Sequence, residues 1–112
     1  MGKVVFIESD RMGSQSEELG RILMRNFLYS LARAAAKPRL VFFVNDGVRL
    51  ACEGSESLDD LFLLVEDGVP VYACGTCLDY LGLKDRLAVG AVGAMPDLVT
   101  QMLDSGDVVT VA

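Results

Sequence analysis

The sequence contains no histidine and no tryptophan, and only three cysteines and three prolines in 112 residues. Without histidine, neither a Ser–His nor a Cys–His nucleophile pair can form within one chain. A zinc site is poorly supplied as well, because three cysteines fall short of the usual four nitrogen or sulfur ligands unless an acid or another subunit completes the set. No metal is expected. Three cysteines cannot all pair within one chain, so at least one thiol is free, which suits a reducing compartment where structural disulfides are rare. The N-terminal segment Met1-Gly2-Lys3-Val4-Val5-Phe6-Ile7-Glu8 carries a short apolar run before an acid, too short for a signal peptide or a membrane span. The expected location is the cytoplasm, with no membrane partner. Neither a G-x-G-x-x-G nor a Walker sequence is present, so no nucleotide site is supported and no cofactor is expected.

Basic residues are also scarce: Lys and Arg number 10 against 16 Asp and Glu, for a net charge of −6. That balance opposes non-specific binding to nucleic acid, which needs clustered cations. The charge is uneven, since most basic residues precede Leu40 and most acids follow it. Arg21, Arg25, Arg33 and Lys37 read as a solvated helix face, with Glu17 and Arg21 at a stabilising i,i+4 spacing. The alternative is a docking surface for an acidic partner.

What the chain has in quantity is apolar material: 52% of residues are hydrophobic and 23% charged. Such a chain is neither disordered nor dependent on disulfides, and one domain over residues 1–112 can bury about two-thirds of its unfolded surface. Apolar runs at Val4 to Ile7, Leu40 to Val44, Val69 to Ala73, Leu87 to Val89 and Val108 to Val111 lack alternation, as expected of strands covered on both faces. Helical patterns separate them. The first places Leu19, Ile22, Leu23, Phe27, Leu28, Leu31 and Ala35 on a 3.6-residue repeat, opened by Ser14-Gln15-Ser16-Glu17 and stopped before Pro38. A second runs roughly from Ser57 to Glu66, a short third begins at Gly75 and ends near Gly82, and a fourth runs from Pro96 to Leu103. Strands alternating with helices imply right-handed crossovers and a three-layer α/β/α sandwich around a five-stranded parallel sheet.

In that architecture the β-to-α loops gather at the carboxyl edge of the sheet, where ligands bind. The expected site residues are Ser9, Asp10 and Gly13 after the first strand, Asn45, Asp46 and Gly47 after the second, and Cys74-Gly75-Thr76-Cys77 after the third. Cys74 falls at a strand-to-helix junction, where free backbone N–H groups and the helix dipole favour a thiolate. A thiolate attacks sulfur, so the position suits sulfur acceptance or disulfide exchange, with Cys77 one helical turn away. The bland alternative is that one or both cysteines are small buried residues that fill a helix–sheet junction. Cys52 reads as core, or as a third thiol near the same edge. Gly13, Gly47 and Gly75 offer close backbone approach to a ligand, and Asp10, Asn45 and Asp46 either orient a ligand or cap helices.

At these loops the sequence resembles the DsrE/DsrF-like family, most closely the C-terminal domain of YedF-type sulfurtransferase-like proteins associated with selenium metabolism. The resemblance rests on Ser9-Asp10-Arg11-Met12-Gly13, Glu18-Leu19-Gly20-Arg21-Ile22-Leu23-Met24, Phe43-Val44-Asn45-Asp46-Gly47-Val48-Arg49-Leu50, Cys52-Glu53-Gly54-Ser55 and Cys74-Gly75-Thr76-Cys77-Leu78-Asp79-Tyr80-Leu81-Gly82-Leu83. It implies a parallel five-stranded domain that assembles as a homo-oligomer, a trimer or hexamer. It also implies sulfur relay as a persulfide on Cys74, with Cys77 able to resolve that persulfide as a disulfide. YedF-type proteins carry a TusA-like domain ahead of this one, whereas this sequence starts at the first strand. The expectation is therefore a separate TusA-like partner, or else a chain that is not a relay. Two further readings stand beside the sulfur carrier: a thiol–disulfide redox protein using Cys74 and Cys77, though Val71-Tyr72-Ala73 lacks the thioredoxin-type Trp, and a non-enzymatic oligomeric binding or scaffold module.

Overall fold

β-Branched and aromatic residues dominate most of the strand segments, and a helix follows each of the first four. The computed structural model, which describes residues 2–112, shows the result: β1 (Val4–Ile7), α1 (Glu17–Arg33), β2 (Leu40–Phe43), α2 (Leu58–Glu66), β3 (Val71–Cys74), α3 (Gly75–Tyr80), β4 (Ala91–Gly93), α4 (Met95–Ser105) and β5 (Val108–Val111). Short 3-10 helices occupy Asn45–Ala51 and Lys84–Arg86. The five strands form one sheet in the order β4-β3-β2-β1-β5, and every pairing is parallel.

That order fixes the layers. From β1 to β4 the chain steps in one direction, so right-handed crossovers put α1, α2 and α3 on one face, and the return from β4 to β5 puts α4 on the other. The centre is made of β1, β2 and β3, where Val4, Ile7, Val41, Phe42 and Phe43 are fully buried together with Met24, Leu28, Leu61, Leu64 and Leu98 from the helices. Among the described residues, no helix is long and apolar enough to cross a membrane.

Four local features depart from the sequence expectations. The Leu87–Val89 run is not a strand. The amides of Ala88 and Val89 both donate to the Ala51 carbonyl, and Leu87 makes only an isolated antiparallel bridge with Cys52. These residues are apolar because they pack on the 3-10 helix. Gly90, at φ 79°, then turns the chain into β4, and a Cβ there would meet the Val71 carbonyl oxygen. The third strand starts at Val71 and reaches Cys74, two residues later than the start of the apolar run, since Pro70 has no amide to donate.

The buried face of α1 is also rotated from the expected stripe. Gly20, Met24, Leu28 and Ala32 face the sheet, whereas Leu19 is 54% exposed and Ile22 and Leu23 are exposed as well. Gly20 explains the shift: a Cβ there would lie 2.9 Å from the Arg11 Cβ, and the Met12 amide donates to the Gly20 carbonyl at 3.0 Å. The loop after β1 thus docks on the side of α1 where a side chain is missing. The helix is capped by Ser16, whose hydroxyl accepts from the Leu19 amide, rather than by Ser14.

The basic residues in and around α1 have acidic partners inside the chain. Arg11 and Arg21 meet Glu17, Arg25 meets Glu56, Arg33 meets the largely buried Asp60 at 2.8 Å and Lys37 meets Asp67. Arg33 also stacks over the Tyr29 ring at 3.6 Å. Arg33–Asp60 ties α1 to α2, and the Arg25–Glu56 and Lys37–Asp67 pairs lie at the two ends of α2.

Candidate functional site

Cys74 is the last residue of β3 and the residue from which α3 springs. Its register partner on β4 is Gly93, and only 4% of its surface is exposed. The next residues turn at once into α3, which Gly75 permits: a Cβ there would lie 3.0 Å from the Val92 side chain. Because α3 has six residues, it aligns few peptide dipoles behind Cys74. The thiol is well placed at the sheet edge but shielded from solvent.

Cys77, on the first turn of α3, is half-buried and more accessible. Its sulfur accepts a hydrogen bond from the Asn45 backbone amide at 3.1 Å. Asn45 begins the 3-10 helix after β2 and holds a left-handed conformation, φ 51°, the one such non-glycine residue among those described. Its side-chain oxygen accepts from the Asp46 amide at 2.9 Å, and the Asp46 carboxylate in turn receives the Arg49 guanidinium at 2.9 Å. A chain of three contacts, Arg49 to Asp46 to Asn45 to Cys77, therefore couples the loop after β2 to the helix after β3. Arg49 is the residue that sequence reasoning passed over, and Asp46 and Arg49 stand at the i,i+3 spacing that would have signalled it.

Burial pushes the Cys77 thiol above its ordinary range. The Asn45 amide works against that rise, and the hydrogen bond and charge of the neighbouring Cys74 add to it. All three cysteines are free thiols. Cys52 is 2% exposed and donates to the Val48 carbonyl at 3.2 Å. Burial raises its pKa, Arg49 lowers it and Glu53 raises it. Cys52 and Cys74 are both buried in the core, and Cys77 is the more exposed of the three.

The remaining expected residues divide between different surfaces. Gly47 is buried, and a Cβ there would lie 2.4 Å from the Ile7 carbonyl oxygen. Its small size serves the packing of the 3-10 helix on β1. Ser9 folds back on its own loop, its hydroxyl accepting from the Arg11 amide, and with Gly13 it lines a cleft beside Glu17 and Ala112. Asp10 lines a second cleft of about 310 Å³ with Arg21, Arg25 and Arg49. Thr76 is exposed on α3. The structure thus joins the loops after β2 and β3 at the Cys77 sulfur, while the loop after β1 lines neighbouring clefts. Among the described residues, no group of three or more Cys, Asp or Glu is arranged to hold a metal ion.

A three-layer α/β/α domain with two adjacent free thiols where its third strand meets the following helix is the class defined by this fold and edge. The chain belongs to the DsrE/DsrF-like family, whose model matches residues 4–111. Its fold is similar to that of the ychN protein from E. coli, at 24% sequence identity over 98% of this chain and 99% of that chain, with a TM-score of 0.71. It is also similar to a protein of unknown function from Methanobacterium thermoautotrophicum, at 21% identity over 98% and 99% of the two chains and a TM-score of 0.62. A conserved protein of unknown function from Bacteroides thetaiotaomicron shares 15% identity over 97% and 95%, with a TM-score of 0.61. At these identities the likeness establishes the fold. No curated protein matches the sequence.

Proposed function

We propose that this chain is a cytoplasmic sulfur carrier, sulfurtransferase-like in its chemistry, that holds sulfane sulfur as a persulfide on Cys74 and passes it on by thiol exchange, with Cys77 as the second thiol of the pair. Membership in the DsrE/DsrF-like family points to a function related to sulfur relay. The observation that carries the finer reading is the adjacency of two free thiols, one of them bonded to a backbone amide, at the carboxyl edge of a parallel sheet. A persulfide exchanges sulfur with a thiolate without net electron transfer, so no cofactor is required. The proposed assembly is a homo-oligomer, a trimer or hexamer, and the proposed partner is a TusA-like carrier protein. Incubation of the reduced protein with a persulfide donor, followed by intact mass measurement, tests the reading. It requires a one-sulfur gain on the wild type that is lost when Cys74→Ser and Cys77→Ser are combined.

One observation favours a second reading. The burial of Cys74 suits a non-enzymatic binding module whose cysteines are packing residues. Slow alkylation of both Cys74 and Cys77 by a small reagent, with no sulfur uptake, would establish that alternative.

A further inference from the structure

We infer that the two thiols have different tasks: Cys77 is the entry thiol, where sulfur arrives, and Cys74 is the storage thiol, to which it moves. This rests on the sulfur-carrier reading and adds a direction to it. Thiol exchange requires the attacking sulfur to approach the sulfur under attack, so access decides which thiol meets an external donor. Cys74 is 4% exposed at the end of a central strand, so little of it is open to a donor. Cys77 is partly open to solvent and lies beside it. The Asn45 amide also points at the Cys77 sulfur, which orients it and offsets part of the rise that burial gives its pKa.

The chemistry closes in two steps. The Cys77 thiolate attacks the outer sulfur of a donor persulfide, the donor's S–S bond breaks, and the donor leaves as its thiolate while Cys77 becomes a persulfide. Cys74 then attacks that same outer sulfur. The Cys77 S–S bond breaks, a new one forms on Cys74, and the proton given up by the Cys74 thiol is taken by the Cys77 sulfur beside it. Nothing is oxidised or reduced overall. Sulfur on Cys74 is then sheltered from solvent thiols by the burial that kept the donor out. Attack by Cys74 on the inner sulfur would instead form a disulfide and expel hydrosulfide, which would end the carrier role.

Cysteine persulfide is the probe, with wild type, Cys77→Ser and Cys74→Ser compared by time-resolved intact mass. Loading of Cys77→Ser is expected to be at least about tenfold slower than wild type, while Cys74→Ser loads readily but loses its sulfur to glutathione about tenfold faster. If Cys77→Ser loads as fast as wild type, the entry role is overturned and the carrier reading stands. If the wild type takes up no sulfur, the carrier reading falls and the storage role with it. Peptide-mapped alkylation of the reduced wild type is a readout that needs no variant to fold: modification of Cys77 before Cys74 supports the order, and the reverse overturns it.

Discussion

The backbone amide of Asn45 reaches the sulfur of Cys77 at 3.1 Å, and it does so from a left-handed backbone conformation. Few residues other than glycine hold that conformation, and asparagine does because its short side chain bonds locally. Here the local bond is the one from the Asp46 amide to Asn45, and Arg49 braces Asp46 from the next turn. The position of one donor at a thiol thus depends on the conformation of a loop on another strand.

Substitutions at Asn45 separate backbone from side chain. Asn45→Gly keeps both the amide and the freedom to adopt positive φ, so the alkylation rate of Cys77 and the stability should change little. Asn45→Val places a branched side chain in the left-handed region, at a cost of about 1–2 kcal/mol, and draws the amide off the sulfur. Urea unfolding should resolve the loss, and the pH–rate profile of Cys77 should shift only for the valine variant. A valine variant as stable as wild type would mean that the conformation imposes no constraint.

The reactivity of Cys77 should keep rising into the alkaline range. Its thiol is raised by burial and by Cys74, against the pull of the Asn45 amide. The thiolate fraction therefore grows about tenfold per pH unit past pH 8.5, the ordinary value for a free thiol, before it levels off. Iodoacetamide alkylation with peptide mapping across neutral to strongly alkaline pH provides the check. A plateau already reached near neutral pH would show that the amide outweighs burial.

The fold was open to reading because its central strands are covered on both faces and so carry unbroken apolar runs. The same signal misled at Leu87–Val89, which is equally apolar but packs against the 3-10 helix, while the true fourth strand, Ala91–Gly93, is short, lies at the sheet edge and holds a glycine. At the site, Cys74 and Cys77 could be nominated from their spacing and the strand-to-helix turn. Their different exposure could not, because it depends on where β3 ends and on how the loop after β2 lies over α3. The Asn45–Cys77 contact was out of reach for a similar reason: its donor is a backbone amide, which every residue except proline has.

Cys52 should make the protein lose stability in alkali. Its pKa in the folded state is raised, chiefly by burial. The unfolded thiol therefore ionises first: the contribution is intact below about pH 8.5, the unfolded value, and is lost as pH climbs toward the folded one. Replacing Cys52 by alanine should cost about 1 kcal/mol at neutral pH through a lost bond to Val48 and a small void. It should also flatten the alkaline decline. Thermal melts of both proteins at neutral and alkaline pH make the comparison, and an equally steep decline in the variant would remove Cys52 as its source.

The helix α4 presents two apolar faces, and only one is covered. Leu98 is buried against the sheet with Met102 half-buried near it, whereas Met95, Val99 and Leu103, spaced four residues apart, stand exposed in a row. A surface helix has no use for a second apolar stripe unless something packs on it, and the sheet beside α4 leaves an open cleft of about 270 Å³ lined by Leu40, Phe42 and Tyr72. If copies of the chain assemble as proposed, this row is one apolar surface, and the exposed Leu19, Ile22 and Leu23 of α1 another, that self-association would bury. Leu103 is 77% exposed, so a glutamate there should leave the monomer's stability within about 0.5 kcal/mol. The double variant Val99→Glu with Leu103→Glu should therefore stay folded by circular dichroism and shift to the monomer mass in light scattering. An unchanged oligomer mass would assign the interface to another face of the molecule, and a monomeric wild type would reject the oligomer itself.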